Sequence, residues 1–378
     1  MSDGCTLTAA GNAIFLKVIE QPGNVAVSPL SLSLALEMVD LGVTQGSSTQ
    51  DELRTLLYPS QISPEIADHK KKVQNAIKLL SGMPEDQLVL ANSVWASGDV
   101  NEEFKTQCAD KLGAEVFSLA SAATINEWIS ENTCGRINEL LTYDPRSSVL
   151  VNALYFGAPW FTPFAAQTSN VVFNKFDDIE SLCTMMSNNS MPGRVLDDGD
   201  DTIIGVPYEV ENEVDEDSDI MAVLVLPKNT GREALLQATQ RFFEKNSRVY
   251  EDLDQPQLTR FNLSMPAFEI DSNVLSLKKT LEDLGVTLLF HAGSLKGMST
   301  DDTSAVSDVL HRVVLKVARH GTVAAAATAV ATTRGGRGPP SYVVDRPFLF
   351  VVFETKTRAT LFAAKVETVP GASVSYVS

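Results

Sequence analysis

The sequence predicts an α+β fold, and three observations predict it. Helical patterns crowd the first third of the 378 residues, while β-branched and aromatic runs fill the middle and end. No regular strand–helix–strand alternation links the two, which argues against a doubly wound sheet. No internal repeat or low-complexity linker divides the chain, so residues 1–378 read as a single large domain. With 44% hydrophobic and 21% charged residues, the composition is ordinary for a globular protein and far from disorder.

The elements follow in order. VAVSPLSLSLALEMVDLG begins as a short strand, after which Ser28 reads as an N-cap, Pro29 as the first helical residue and Gly42 as the stop. Thr49 with Glu52 predicts a capping box for the helix DELRTLL, and Thr124 with Glu127 another for INEWISEN. HKKKVQNAIKLL lies between them as a further helix. SVLVNALYF, TIIGVPY, MAVLVLP, LTRFNLSMPAFEI, VVLKVA, PFLFVVF and ATLFAAKV read as strands with turn residues between them. Two helices, REALLQATQRFFEKN and LSLKKTLEDLG, interrupt this run.

One stretch fits neither class. In HGTVAAAATAVATTRGGRGPP, His320 to Pro340, the alanines 324 to 327 favour a helix. The surrounding glycine, threonines and valines favour an extended chain. Gly335, Gly336, Gly338, Pro339 and Pro340 then stop either structure. It reads as an exposed loop whose first half becomes a strand if a place is found for it.

A net charge of −18 argues against nucleic acid or an anionic membrane as the main partner, because both need a positive surface. The N-terminus lacks a basic start followed by an apolar core, so no secretory signal is expected. No apolar run approaches the roughly 20 residues of a membrane span. Cys5, Cys108, Cys134 and Cys183 are widely scattered, which suits a reduced, cytoplasmic protein or one released by an unconventional route, with extracellular use left open.

An enzyme has no visible chemistry in this chain. His69, His291, His311 and His320 show no metal-ligand spacing, and no nucleophile elbow or phosphate-binding glycine loop follows a strand. No metal or cofactor is expected. Asp197–Asp201 and the acidic run from Glu209 to Asp219 lack the ligand periodicity of a calcium loop and read as solvated. Lys70, Lys71, Lys72 and Lys78 form the one basic cluster. Lys71 and Lys78 share a helix face, which is compatible with a polyanion site such as one for heparin. A solvated helix face is the plainer reading.

Over nearly its whole length the chain resembles the serpins. NVAVSPLSLSLAL resembles the strand and helix that carry the family's SPxS element, and INEWISENTCGRI its NxWVxxxTxGxI motif through Asn126, Trp128, Thr133, Gly135 and Ile137. LVNALYFGAPWFTPF resembles LVNAxYFKGxWxxxF, with Asn152 and Trp160 in place. VSDVLHRVVLKVARHGTVAAAAT resembles a central strand running into the reactive-loop hinge, and DRPFLFVV and LFAAKV the closing strand pair. The resemblance implies three β-sheets, about eight or nine helices and an exposed reactive-centre loop at about residues 319–343.

It also implies a mechanism. The loop is offered to a protease; after attack and cleavage its N-terminal half inserts into the central sheet and drags the tethered acyl-enzyme with it. An inserted strand needs side chains that both faces can absorb. Thr322, Ala324, Ala326, Thr328, Val330 and Thr332 would form one face, and Val323, Ala325, Ala327, Ala329, Ala331 and Thr333 the other. Neither set holds a charge, a proline or a bulky ring, so the hinge Gly321, Thr322, Val323, Ala324, Ala325, Ala326, Ala327, Thr328 meets the requirement. The alternative is a non-inhibitory relative serving as carrier, storage protein or chaperone. Two residues depart from the family pattern: Arg319 and Val323 stand where acidic residues are common. The departures bear on insertion rate, and loss of inhibition does not follow from them.

By the same resemblance, Ser28, Ser31, Asn152 and His311 should meet at the shutter that holds two central strands closed, with Trp160 at the breach where the loop enters. Ala158-Pro159 replaces the usual Lys-Gly before that tryptophan and Ala364 a common glycine. Counting from Gly321 by the commonest family spacing places the reactive bond at Gly335; a loop one shorter places it at Arg334–Gly335, and two longer at Arg337–Gly338. The preferred reading is Arg334–Gly335. An arginine there suits the acidic specificity pocket of a trypsin-like serine protease, or an Arg-specific cysteine protease. The implied partner is thus a target serine protease, met by a monomer without a cofactor.

Overall fold

Two hydrogen-bonded ladders carry the fold, and the helices pack around them. The computed structural model describes residues 7–59, 63–176, 179–210, 220–253, 257–301, 303–320 and 339–369. The chain begins α1 (Ala9–Val18), β1 (Val25–Val27), α2 (Pro29–Gly42), α3 (Ser48–Leu57), α4 (Ser63–Ser81), β2 (Leu88–Ala96), α5 (Glu102–Leu112) and β3 (Glu115–Ser118). It continues α6 (Ala122–Asn132), β4 (Ser148–Phe156), β5 (Ala166–Asn174), β6 (Glu180–Asp197), β7 (Asp201–Pro207), β8 (Ile220–Pro227), α7 (Arg232–Glu244) and α8 (Asn246–Leu253). It closes β9 (Thr259–Pro266), β10 (Phe268–Asp271), β11 (Leu275–Ser276), α9 (Lys278–Asp283), β12 (Val306–Val317), β13 (Ser341–Val343), β14 (Phe348–Glu354) and β15 (Thr360–Val366). Nine α-helices lie among the described residues, within the expected range.

The predicted start of α2 holds: Ser28 is extended, its Oγ accepts from Ser31 N, and Pro29 fills the first helical position. The other two caps lie one turn or less upstream of the predicted threonines. Ser47 caps α3 by accepting from Gln50 N, and Gln50 Oε1 reaches back to Gly46 N at 2.8 Å. Ser121 caps α6, accepting from Thr124 N. Both serines take the extended backbone a cap needs, so the threonines fall inside the helices. Glu52 instead receives the Thr287 and Leu288 N–H groups at 2.7 and 2.8 Å, at the start of a 3-10 turn.

The six-stranded sheet runs β10-β12-β4-β2-β3, with β11 also on β12. Its central pair, β12 and β4, is parallel, from Val306↔Ser148 to Leu315↔Phe156. All nine residues of β4 are buried. Leu150, Leu154 and Phe156 join the main core, while Val149, Val151, Ala153 and Tyr155 join a smaller one with Ile125 and Ile129 of α6. Both faces of the sheet are therefore covered at β4, which explains why SVLVNALYF reads as a continuous apolar run.

The nine-stranded ladder runs β1-β15-β14-β8-β7-β6-β9-β13, with β5 on β6. Strand β6 belongs to two halves: Met185–Asn188 pairs with β9, and Arg194–Asp197 with β7. A register shift between Asn188 and Met191 interrupts the β9 pairing, which resumes over Met191–Gly193 before β7 takes over at Arg194. Gly193 sits at this changeover, where an added Cβ would lie 2.3 Å from the Gly205 carbonyl oxygen. Divided at that bend, the molecule has the three sheets expected.

Candidate functional site

The polar centre of the six-stranded sheet is a row across three strands. Asn92 on β2 faces Asn152 on β4, which faces His311 on β12. The N-terminus of α2 closes over this row. Ser28 N donates to His311 Nε2 at 3.0 Å, so Nε2 is an acceptor and Nδ1 carries the proton it donates to Asn152 Oδ1. Asn152 Nδ2 faces Ser31 O at 3.0 Å together with Ser31 Oγ and Asn92 Oδ1. Ser31 Oγ in turn donates to Asn92 Oδ1 at 3.3 Å. His311 is fully buried, and desolvation lowers its pKa from 6.5 to about 3.

The four residues expected at the shutter thus lie in one hydrogen-bonded cluster, and sequence reasoning missed the fifth, Asn92. The signal was present: an asparagine in the middle of LVLANSVWA has no reason to be buried unless its amide is satisfied.

Trp160 lies beyond the upper end of β4 and is wholly buried. Its indole stacks on Tyr208 at 4.3 Å, meets Phe164 edge-on at 5.6 Å, and donates to the Ala318 carbonyl at 2.9 Å. The Ala158-Pro159 exchange is accommodated because Ala158 is buried and Pro159 offers its carbonyl to Glu209 N at 2.8 Å. Tyr208, also unforeseen, makes a backbone bridge with Trp160.

The hinge from Gly321 to Thr328 and both candidate bonds, Arg334–Gly335 and Arg337–Gly338, lie outside the described residues. The two roots of that segment are described. On one side are Ala318, Arg319 and His320, continuing β12; on the other β13 pairs with β9, and Asn262 N donates to Pro340 O at 2.8 Å.

Lys70, Lys71 and Lys78 are exposed on α4, and Lys72 is half-buried. Lys70 also lines a cleft of about 650 Å³ with Arg54, Lys111 and Lys296, where Asp40 and Glu103 supply opposing charge. The acidic turn 197–201 is less solvated than expected: Asp201 is buried and takes a bidentate pair from Arg241 at 2.7 and 2.9 Å. Most of the second acidic run, 211–219, lies outside the described residues.

Comparison with known proteins adds a family. The family model described as Serpin (serine protease inhibitor) matches residues 8–369. The leukocyte elastase inhibitor of Xenopus laevis is 29% identical, over 92% of this chain and 94% of its own. Among solved structures, Manduca sexta serpin-12 superposes with a TM-score of 0.80 at 23% identity, covering 96% of this chain and 98% of its own. Native protease nexin-1 with heparin gives 0.76 at 22% identity, covering 96% and 97%.

Proposed function

The chain belongs to the serpin family, and from that premise we propose that it is a suicide-substrate inhibitor of trypsin-like, Arg-specific serine endopeptidases. One observation carries the reading: β12, which leads into the loop, lies directly against β4 in a parallel pair. A segment folding back from the end of β12 runs antiparallel to it, and therefore antiparallel to β4 as well. Entry between the two replaces one parallel ladder by two antiparallel ones, which are slightly more stable per residue. The segment's small, uncharged residues suit a position buried on both faces.

In the reaction, the protease's serine Oγ bonds to the Arg334 carbonyl carbon and the Gly335 amine leaves with a proton from the protease's histidine. The ester left on Arg334 is the link that insertion carries away. Mixing with trypsin is expected to give a covalent complex that survives boiling in detergent. Clean cleavage of the loop with full recovery of trypsin activity contradicts the reading for that protease. Mass spectrometry of the released C-terminal peptide identifies the bond.

A reducing interior suits the protein, since Cys108, Cys134 and Cys183 are free thiols. The exposed lysines of α4 support heparin-like polyanions as secondary partners, in keeping with the heparin-bound relative. Loss of acceleration by heparin in K71A/K78A is the corresponding check.

A further inference from the structure

We propose that Arg319 is a clasp that ties the root of the reactive loop to the segment after β4 and so sets how fast the loop is taken up; this rests on the insertion reading above. The Arg319 guanidinium donates through Nε to the Phe164 carbonyl at 2.9 Å and through Nη2 to the Ala165 carbonyl at 2.7 Å. The main chain adds Phe164 N to Arg319 O at 3.0 Å, and Trp160 adds its bond to Ala318 O. These four bonds span the gap above Leu315↔Phe156, the last register pair of the parallel ladder. A strand entering between β12 and β4 from the loop side must pass through that gap first, so the four bonds break before any new ladder forms.

Two of the four come from one side chain, and its chemistry is specific. A planar guanidinium addresses two successive carbonyls at once, whereas a lysine offers a single point charge. A carboxylate here, the residue type the family resemblance leads one to expect, is an acceptor facing acceptors and cannot make the contact. Arg319 therefore favours the closed sheet in a way an acidic residue does not. Removing it leaves the Trp160 and main-chain bonds in place, so the sheet stays shut but opens more readily.

The test is annealing of a labelled synthetic peptide with the sequence of residues 321–333, followed by fluorescence and native electrophoresis. Loss of two charge-assisted bonds in R319A is expected to speed annealing by about tenfold, with R319K between that variant and the parent and R319E at least as fast as R319A. Equal rates in the parent, R319A and R319E, or slower annealing in R319A, overturn the clasp while leaving insertion intact. Failure of the peptide to anneal to any of the proteins contradicts the insertion reading, and the clasp with it.

Discussion

At pH 7 His311 is uncharged, because burial holds its pKa at about 3 against an ordinary 6.5. In the unfolded chain the same imidazole takes up a proton as pH falls through about 6.5, whereas the folded one does not until about 3. The unfolded state therefore binds more protons throughout that window, and stability falls as the solution is acidified. Between pH 7 and pH 5 the expected loss from this residue is about 2 kcal/mol, seen as a lower denaturant midpoint. His311→Gln should be less stable at pH 7 yet lose less between the two values; an unchanged pH slope contradicts the assignment. At this scale the sequence was partly legible. Ser28, Ser31, Asn152 and His311 stood in recognisable motifs; the buried asparagine of LVLANSVWA was a signal passed over, and strand pairing is what sets Asn92 beside Asn152, 60 positions on, and Tyr208 beside Trp160.

Among the elements, the decisive pair is β12 and β4. Whatever enters between them meets the main core on one face, where a charge finds no partner, while on the other face β12 carries the half-buried Arg312 and the exposed Lys316. Thr322→Arg is expected to convert the inhibitor to a substrate: the loop is still cut, but burying an unpaired guanidinium costs at least several kcal/mol, and the protease escapes. Retained inhibition by that variant, measured as moles of inhibitor consumed per mole of trypsin, shows that the hinge does not enter as argued. Strands with dense β-branched runs were readable in advance. Strand β5 was not, because its residues are mostly polar and exposed, and β6 was not, because Met, Ser, Asn, Pro and Gly interrupt it. The two shifted caps have a similar cause: serines at 47 and 121 compete with the nearby threonines, and only backbone conformation decides between them.

For the whole molecule, the described residues show the closed arrangement, with the parallel β12–β4 ladder intact and β13, beyond the loop, paired with β9. Its class could be read from the order of helical and strand patterns, and its sheet count followed from the family resemblance. Its central tension could not, since two neighbouring strands being parallel is a fact of topology. A sheet that gains a strand gains ladder hydrogen bonds, each contributing about 1 kcal/mol net, and apolar burial under α6. The intact protein is thus metastable relative to its own cleaved form. The most direct measurement is the melting temperature before and after a single cut between Thr333 and Gly338, made by a protease that does not remain bound. A rise of more than about 10 °C is expected, which corresponds to several kcal/mol in a protein of this size. An unchanged or lowered melting temperature, with the cut confirmed by mass, contradicts the account.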